Sequence, residues 1–239
     1  MIERPARSWV RFLRDRLEFR VLAAIVAAGA AIMAFLQVSD EVGENETALF
    51  DRAVLLWFRD PSNPADPIGS RTLEESMRDI TALGGFTFLT LATVVAVASL
   101  LFFRKPRQAI VFAATVGLAE LSSDLLKLVY DRPRPDLVPH GVYVYSHSFP
   151  SGHSTLSAAT YLTLAAILSS LDPRRRYKAF VFTLAILLTI AVGVSRVYLG
   201  VHWPTDVVAG WTLGAAWALL ARVALGLWRG ETPASPPQT

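Results

Sequence analysis

Three short stretches of this chain carry side chains in patterns that suit phosphate chemistry. The first runs Lys127-Leu-Val-Tyr-Asp-Arg-Pro-Arg134-Pro135, and the second is Pro150-Ser151-Gly152-His153. The third runs from Ser195-Arg196 to His202-Trp-Pro-Thr-Asp206. Lys127, Arg134 and Arg196 bring three cations together with few acids, and guanidinium groups bind phosphate oxygens in pairs. Ser151-Gly152-His153 opens an apolar run. The free N–H groups of a helix N-terminus form an anion site, and Gly152 lets the anion come close. Two histidines complete the set, one to attack phosphorus and one to protonate the leaving oxygen. Pro204 suits the first position of a helix, which leaves His202 just outside and Asp206 in the first turn. Asp206 then accepts a hydrogen bond from one ring nitrogen of His202 and frees the other for attack.

Taken singly, each residue has a plainer reading. Lys127 and Arg196 snorkel from helix ends, Ser151 caps a helix, and Asp206 is an acid favoured by a helix dipole. The joint pattern carries the catalytic reading. Glu120, Asp124 and Lys127 share one helix face, where Asp124 either steers Lys127 or makes a plain intrahelical contact. His140 and His147 read as rim or loop residues. Trp57, Trp203 and Trp211 read as interfacial anchors.

The elements that must hold these residues are apolar. Of 239 residues, 53% are hydrophobic and only 18% charged, against about 25% charged in a soluble domain. Mean hydropathy is +0.40. This composition excludes a disordered chain. With no cysteine, it also excludes a disulfide scaffold and a thiolate metal site. Apolar runs fall at 21–38, 82–103, 109–128, 153–171, 179–199 and 207–228. Each approaches the roughly 20 residues that cross a hydrocarbon core as a helix. The reading is an all-α bundle of six transmembrane helices spanning 1–239 as one domain. The first run is read as a retained anchor, being too long for a signal-peptide core.

Charge bias orients the bundle. The arm 1–20, the Arg104-Lys105-Pro106-Arg107 connection, the basic 172–178 connection and the flexible tail 230–239 fall on one side, read as cytoplasmic. Segment 39–81, with ten acidic residues against four arginines, falls on the other. Within it Thr47–Phe58 predicts a short surface helix, ended by Pro61, Pro64 and Pro67. Counting crossings brings all three polar clusters to the outer ends of their helices.

The three stretches match, in order and spacing, the signature motifs of the type 2 phosphatidic acid phosphatase (PAP2) superfamily, which the chain resembles from 127 to 206 and, by its six-helix plan, over most of its length. The resemblance implies a metal-independent, cofactor-free phosphatase with a phosphohistidine intermediate. It implies His202 as nucleophile, Asp206 as its orienting partner and His153 as general acid. Lys127, Arg134, Ser151, Gly152 and Arg196 would bind the phosphate, and Ser195 belongs to the motif without an assigned role.

The implied partners are the bilayer and a phosphorylated lipid, with no nucleic acid. An isoprenyl diphosphate such as undecaprenyl diphosphate ranks first as substrate. Phosphatidylglycerophosphate or phosphatidate follows, then a lipid A-type phosphate. The implied setting is a bacterial inner membrane with the site facing outward and both termini cytoplasmic. A phospholipid-binding or transport protein is the non-enzymatic rival, and the His153, His202 and Asp206 set argues against it. A metal hydrolase is a weaker rival, because the cationic cluster repels a metal.

Overall fold

The computed structural model describes residues 19–138, 140 and 147–229. The basic arm before Phe19 and the tail beyond Arg229 lie outside the described residues. Among the described residues are eight α-helices and one two-stranded antiparallel ribbon, in the order α1 (Phe19–Gly43), α2 (Ala48–Trp57), β1 (Arg59–Asp60), β2 (Asn63–Pro67), α3 (Arg71–Ala82), α4 (Phe86–Phe102), α5 (Pro106–Tyr130), α6 (Gly152–Leu168), α7 (Arg175–Tyr198) and α8 (Pro204–Arg229). The ribbon pairs Arg59 with Pro67 and Asp60 with Asn63.

Among the described residues, four helices are long and apolar enough to cross a membrane: α1, α5, α7 and α8. A fifth span results if α3 and α4 count as one, since they meet at a 45° bend. The remaining long helix, α6, has 17 residues and buries Ser154, Thr155, Ser157, Thr160 and Thr163. It is the central helix, packed by α5, α7 and α8, and its side chains meet protein rather than lipid.

Close approach of α6 and α8 depends on two glycines. A side-chain carbon at Gly210 would lie 2.7 Å from the Ser151 carbonyl oxygen, and one at Gly214 would lie 2.3 Å from that of Thr155. Small residues four apart let helix backbones meet in this way. The contact seats the start of α8 against the start of α6, where the Ser151 N–H donates to the Asp206 carbonyl at 3.0 Å. Apolar clusters fill the rest: Leu89, Phe112, Val116, Leu156 and Ile167 between α4, α5 and α6, and Leu55, Val138, Val197 and Val207 beneath α2. Large apolar side chains remain exposed on α1, α4 and α7, among them Val26, Met33, Leu91, Val94, Phe180 and Leu187.

The acidic segment holds more structure than its sequence reading gave it. The expected short helix is α2. The ribbon and α3, both read as connection, follow it. Ser70 caps α3 by accepting from the Leu73 N–H at 3.3 Å.

Candidate active site

His202 lies in the five-residue connection between α7 and α8 and is 2% exposed. Its Nδ1 is 3.4 Å from Asp206 Oδ2 and 3.5 Å from Ser148 Oγ. Its Nε2 is 3.1 Å from Arg134 Nη1. A guanidinium has donors only, so this contact requires a bare Nε2 and places the ring proton on Nδ1, toward the carboxylate. Burial first, then the charges of Arg196, Arg134 and Lys127, holds the imidazole well below its ordinary pKa. The neutral ring therefore presents a lone pair on Nε2 at neutral pH.

Asp206 is fully buried in the first turn of α8 and every contact fixes its rotation. Oδ1 accepts from Arg132 Nη1 at 2.6 Å. Oδ2 accepts from the Trp203 N–H at 2.9 Å and from the Ser148 hydroxyl, and faces His202. Arg134 also donates to the Val201 carbonyl at 2.6 Å and to that of His147 at 3.4 Å.

The other motif residues converge on the same end of the bundle. Ser151 caps α6, its Oγ accepting from the Ser154 N–H at 3.4 Å and the Ser154 hydroxyl at 3.0 Å. Capping and the expected anion site thus fall on one residue. A side-chain carbon at Gly152 would lie 3.2 Å from Lys127 Nζ, so its absence lets the ammonium reach the N-terminus of α6. Lys127 is also held by Asp124 Oδ1 at 3.0 Å, the i,i+3 contact expected from their shared face. Arg196 is 4% exposed. Its Nη1 donates to Thr81 Oγ1 at 3.0 Å, and its buried Nε has no hydrogen-bond partner among the described residues. His153 Nε2 lies 3.8 Å from where a side-chain carbon would sit on Gly85, which places the ring beside the Gly84-Gly85 bend between α3 and α4. Arg196, His202, Lys127 and Arg134 all act electrostatically on His153. Ser195 turns back into its own helix, donating to the Val192 carbonyl at 2.6 Å.

Outside the motif positions, His140 contacts the Pro135 carbonyl at 2.7 Å and His147 Nδ1 contacts Asp131 at 2.7 Å. Both are exposed on the loop. Three residues in the network were not singled out from sequence as site residues: Ser148, Arg132 and Asp51. Ser148 stands two residues before Pro150, and Arg132 two before Arg134, so proximity to a motif was the available signal. Nothing local marks Asp51.

The model of the PAP2 superfamily matches residues 108–228, a range that contains all three stretches. Phosphatidylglycerophosphatase B of Bacillus subtilis is 39% identical over 143 residues, which cover 59% of this chain and 70% of that protein. Undecaprenyl-diphosphatase of Sulfolobus acidocaldarius is 33% identical over 124 residues, covering 49% of this chain and 56% of that one. The crystal structure of a transmembrane PAP2-type phosphatidylglycerolphosphate phosphatase from Bacillus subtilis has a TM-score of 0.71 at 32% identity, covering 82% of this chain and 94% of that one.

Proposed function

The chain belongs to the PAP2 superfamily and is an integral-membrane phosphatase; from that premise we propose that it hydrolyses a phosphomonoester or terminal diphosphate of a lipid headgroup through a phosphohistidine. The observation that carries this reading is the buried, neutral His202, held between Asp206 and Arg134 with its Nε2 lone pair toward the cations. An arriving phosphate oxygen takes the Arg134 N–H and releases that lone pair. Nε2 then forms a bond to phosphorus while the bond to the lipid oxygen breaks, and His153 gives that oxygen its proton. Asp206 stabilises the charge that develops on the ring. Water next attacks the phosphohistidine, His153 takes its proton, and inorganic phosphate leaves with His202 restored.

Lys127, Arg134, Arg196, the Ser151 hydroxyl and the N–H groups opening α6 hold the phosphate oxygens. The unpartnered Nε of Arg196 supports such an anion. These cations supply the charge stabilisation, so the reaction proceeds without a metal ion or cofactor. The first two substrates that the family resemblance implied exchange places here. Phosphatidylglycerophosphate comes first, supported by the identity to the Bacillus enzyme. An isoprenyl diphosphate follows.

This reading keeps six crossings by adding α6 to the five apolar candidates, namely α1, α4 with its bent extension α3, α5, α7 and α8. At 17 residues α4 and α6 are each about 25 Å long, at the short end of spanning length. The site faces outward, the basic connections face the cytoplasm, and the membrane is a bacterial inner membrane. The test is phosphate release by detergent-purified protein in EDTA, from phosphatidylglycerophosphate, undecaprenyl diphosphate, phosphatidate and a lipid A-type phosphate, with His202→Ala alongside. Release that the variant abolishes is expected. Equal release by the variant, or none from any lipid by folded wild type, overturns the reading.

A further inference from the structure

Asp206 does not face His202 unaided. Its second oxygen is tied to Arg132, and Arg132 is tied in turn to a helix outside the signature motifs. Arg132 Nη1 donates to Asp206 Oδ1 at 2.6 Å and Thr205 Oγ1 at 2.9 Å. Its Nη2 donates to Asp51 Oδ2 at 2.7 Å and Thr47 Oγ1 at 3.3 Å. Asp51 is 1% exposed and sits on α2. It also grips the start of α8, accepting from the Thr205 N–H at 2.9 Å and the Thr205 hydroxyl at 2.7 Å. The guanidinium lies 5.8 Å from the Trp203 ring centroid, which covers it.

We infer that Asp51, acting through Arg132, is a positioning residue for the Asp206–His202 pair. The argument is geometric and rests on the hydrolytic reading above. A carboxylate rotates about its last bond. With Oδ1 fixed by Arg132, Oδ2 is left for the Trp203 N–H, Ser148 and His202 Nδ1. Arg132 can hold Oδ1 only while its other nitrogen is held, because its fork is rigid and planar. Asp51 supplies that second hold. It accepts three donors from two elements, Arg132 in the loop after α5 and Thr205 in α8, and the backbone N–H it receives fixes α8 as well. One guanidinium between two buried carboxylates also leaves a net negative charge beside the cationic pocket, on the side where His202 acquires positive charge.

Because Asp51 touches neither substrate nor the reacting nitrogen, its loss should act on turnover rather than on phosphate binding. Asp51→Asn retains one acceptor for three donors and turns an amide N–H₂ toward either Arg132 or Thr205. Misplacement of this kind costs on the order of 10–100-fold in rate. The experiment measures kcat, KM and inhibition by inorganic phosphate for wild type, Asp51→Asn, Arg132→Lys and His202→Ala, each first checked for a monodisperse elution profile and thermal midpoint in detergent. The expected result is a kcat lowered on the order of 10–100-fold in Asp51→Asn, with KM and phosphate inhibition unchanged. Arg132→Lys, which keeps charge and loses the fork, should not rescue turnover.

Wild-type kcat in folded Asp51→Asn, beside an inactive His202→Ala, overturns the inference and leaves the hydrolytic reading standing. So does a loss in KM and phosphate inhibition at unchanged kcat. Activity in His202→Ala overturns the hydrolytic reading itself. If Asp51→Asn does not fold, Asp51→Glu decides by the same criteria, since it keeps the charge and changes the reach.

Discussion

At the scale of single residues, the proposed chemistry turns on one imidazole kept neutral by its surroundings. His202 is faced by Arg134 from the loop after α5, by Asp206 from α8, by Arg196 from α7, by Lys127 from α5 and by His153 from α6. Burial and the three cations lower its pKa. The sign of the linkage follows. The unfolded chain gains a proton on this ring below about pH 6.5, while the folded chain resists it until much lower pH. Stability conferred by His202 is therefore complete above about pH 6.5 and lost as pH falls below it. The thermal midpoint of the wild type in detergent should drop between pH 7 and pH 5, and that of a folded His202→Gln variant should drop less. Equal drops would refute the linkage. The spacing of His202 and Asp206 was legible in sequence because a helix start turns four residues into one contact. The Asp51–Arg132 bond was not. Its partners are 81 positions apart, and a buried acid in a solvent-rich acidic segment carries no mark distinguishing it from its exposed neighbours.

Among the elements, the pairing of α6 with α8 sets the site, because one carries His153 and the other carries Asp206. Gly214→Ala puts a carbon 2.3 Å from the Thr155 carbonyl oxygen, against backbone that cannot yield. Overpacking of this kind costs about 1–3 kcal/mol, and the helices must separate to relieve it. Gly117→Ala on α5 meets nothing within 4 Å, so the same chemical change should cause no loss there and gains helix propensity. Thermal midpoints of the two variants, with phosphate release alongside, check the contrast. A lowered midpoint and activity are expected for Gly214→Ala alone. The apolar runs told where most of these helices lie, since lipid and core both select long apolar stretches. They missed α3, whose solvent-facing charges dilute its apolar stripe. Leu73, Met77 and Ile80 behind a Ser70 cap were the available signal. They also gave α6 as one more apolar run, whereas its buried serines and threonines show a helix wrapped by protein.

Across the whole molecule, polar chemistry gathers at one end and basic connections at the other. Arg107 at the start of α5 reaches the end of α8, its Nη1 3.4 Å from the Trp228 carbonyl and its guanidinium 5.3 Å from that ring centroid. At the opposite ends of the same two helices, Arg132 meets Asp206. Short connections that carry Arg104, Lys105, Arg107, Arg174, Arg175 and Arg176 at one end follow the lysine and arginine bias that orients membrane proteins. Because the chain contains no cysteine, single introduced thiols report sidedness without background. Ser62, in the ribbon, and Ser170, after α6, are both exposed. Between them lie α4, α5 and α6. Three crossings put the two positions on opposite sides, whereas two would put them on the same side if α6 did not span. In intact cells an impermeant maleimide should label Ser62→Cys and reach Ser170→Cys only after permeabilisation. The reverse pattern would invert the bundle. Labelling of both from outside would remove α6 or α4 from the spanning set. The expected pattern would put His202 and the proposed phosphate site on the outer side of the membrane, at the end of the bundle opposite the basic connections.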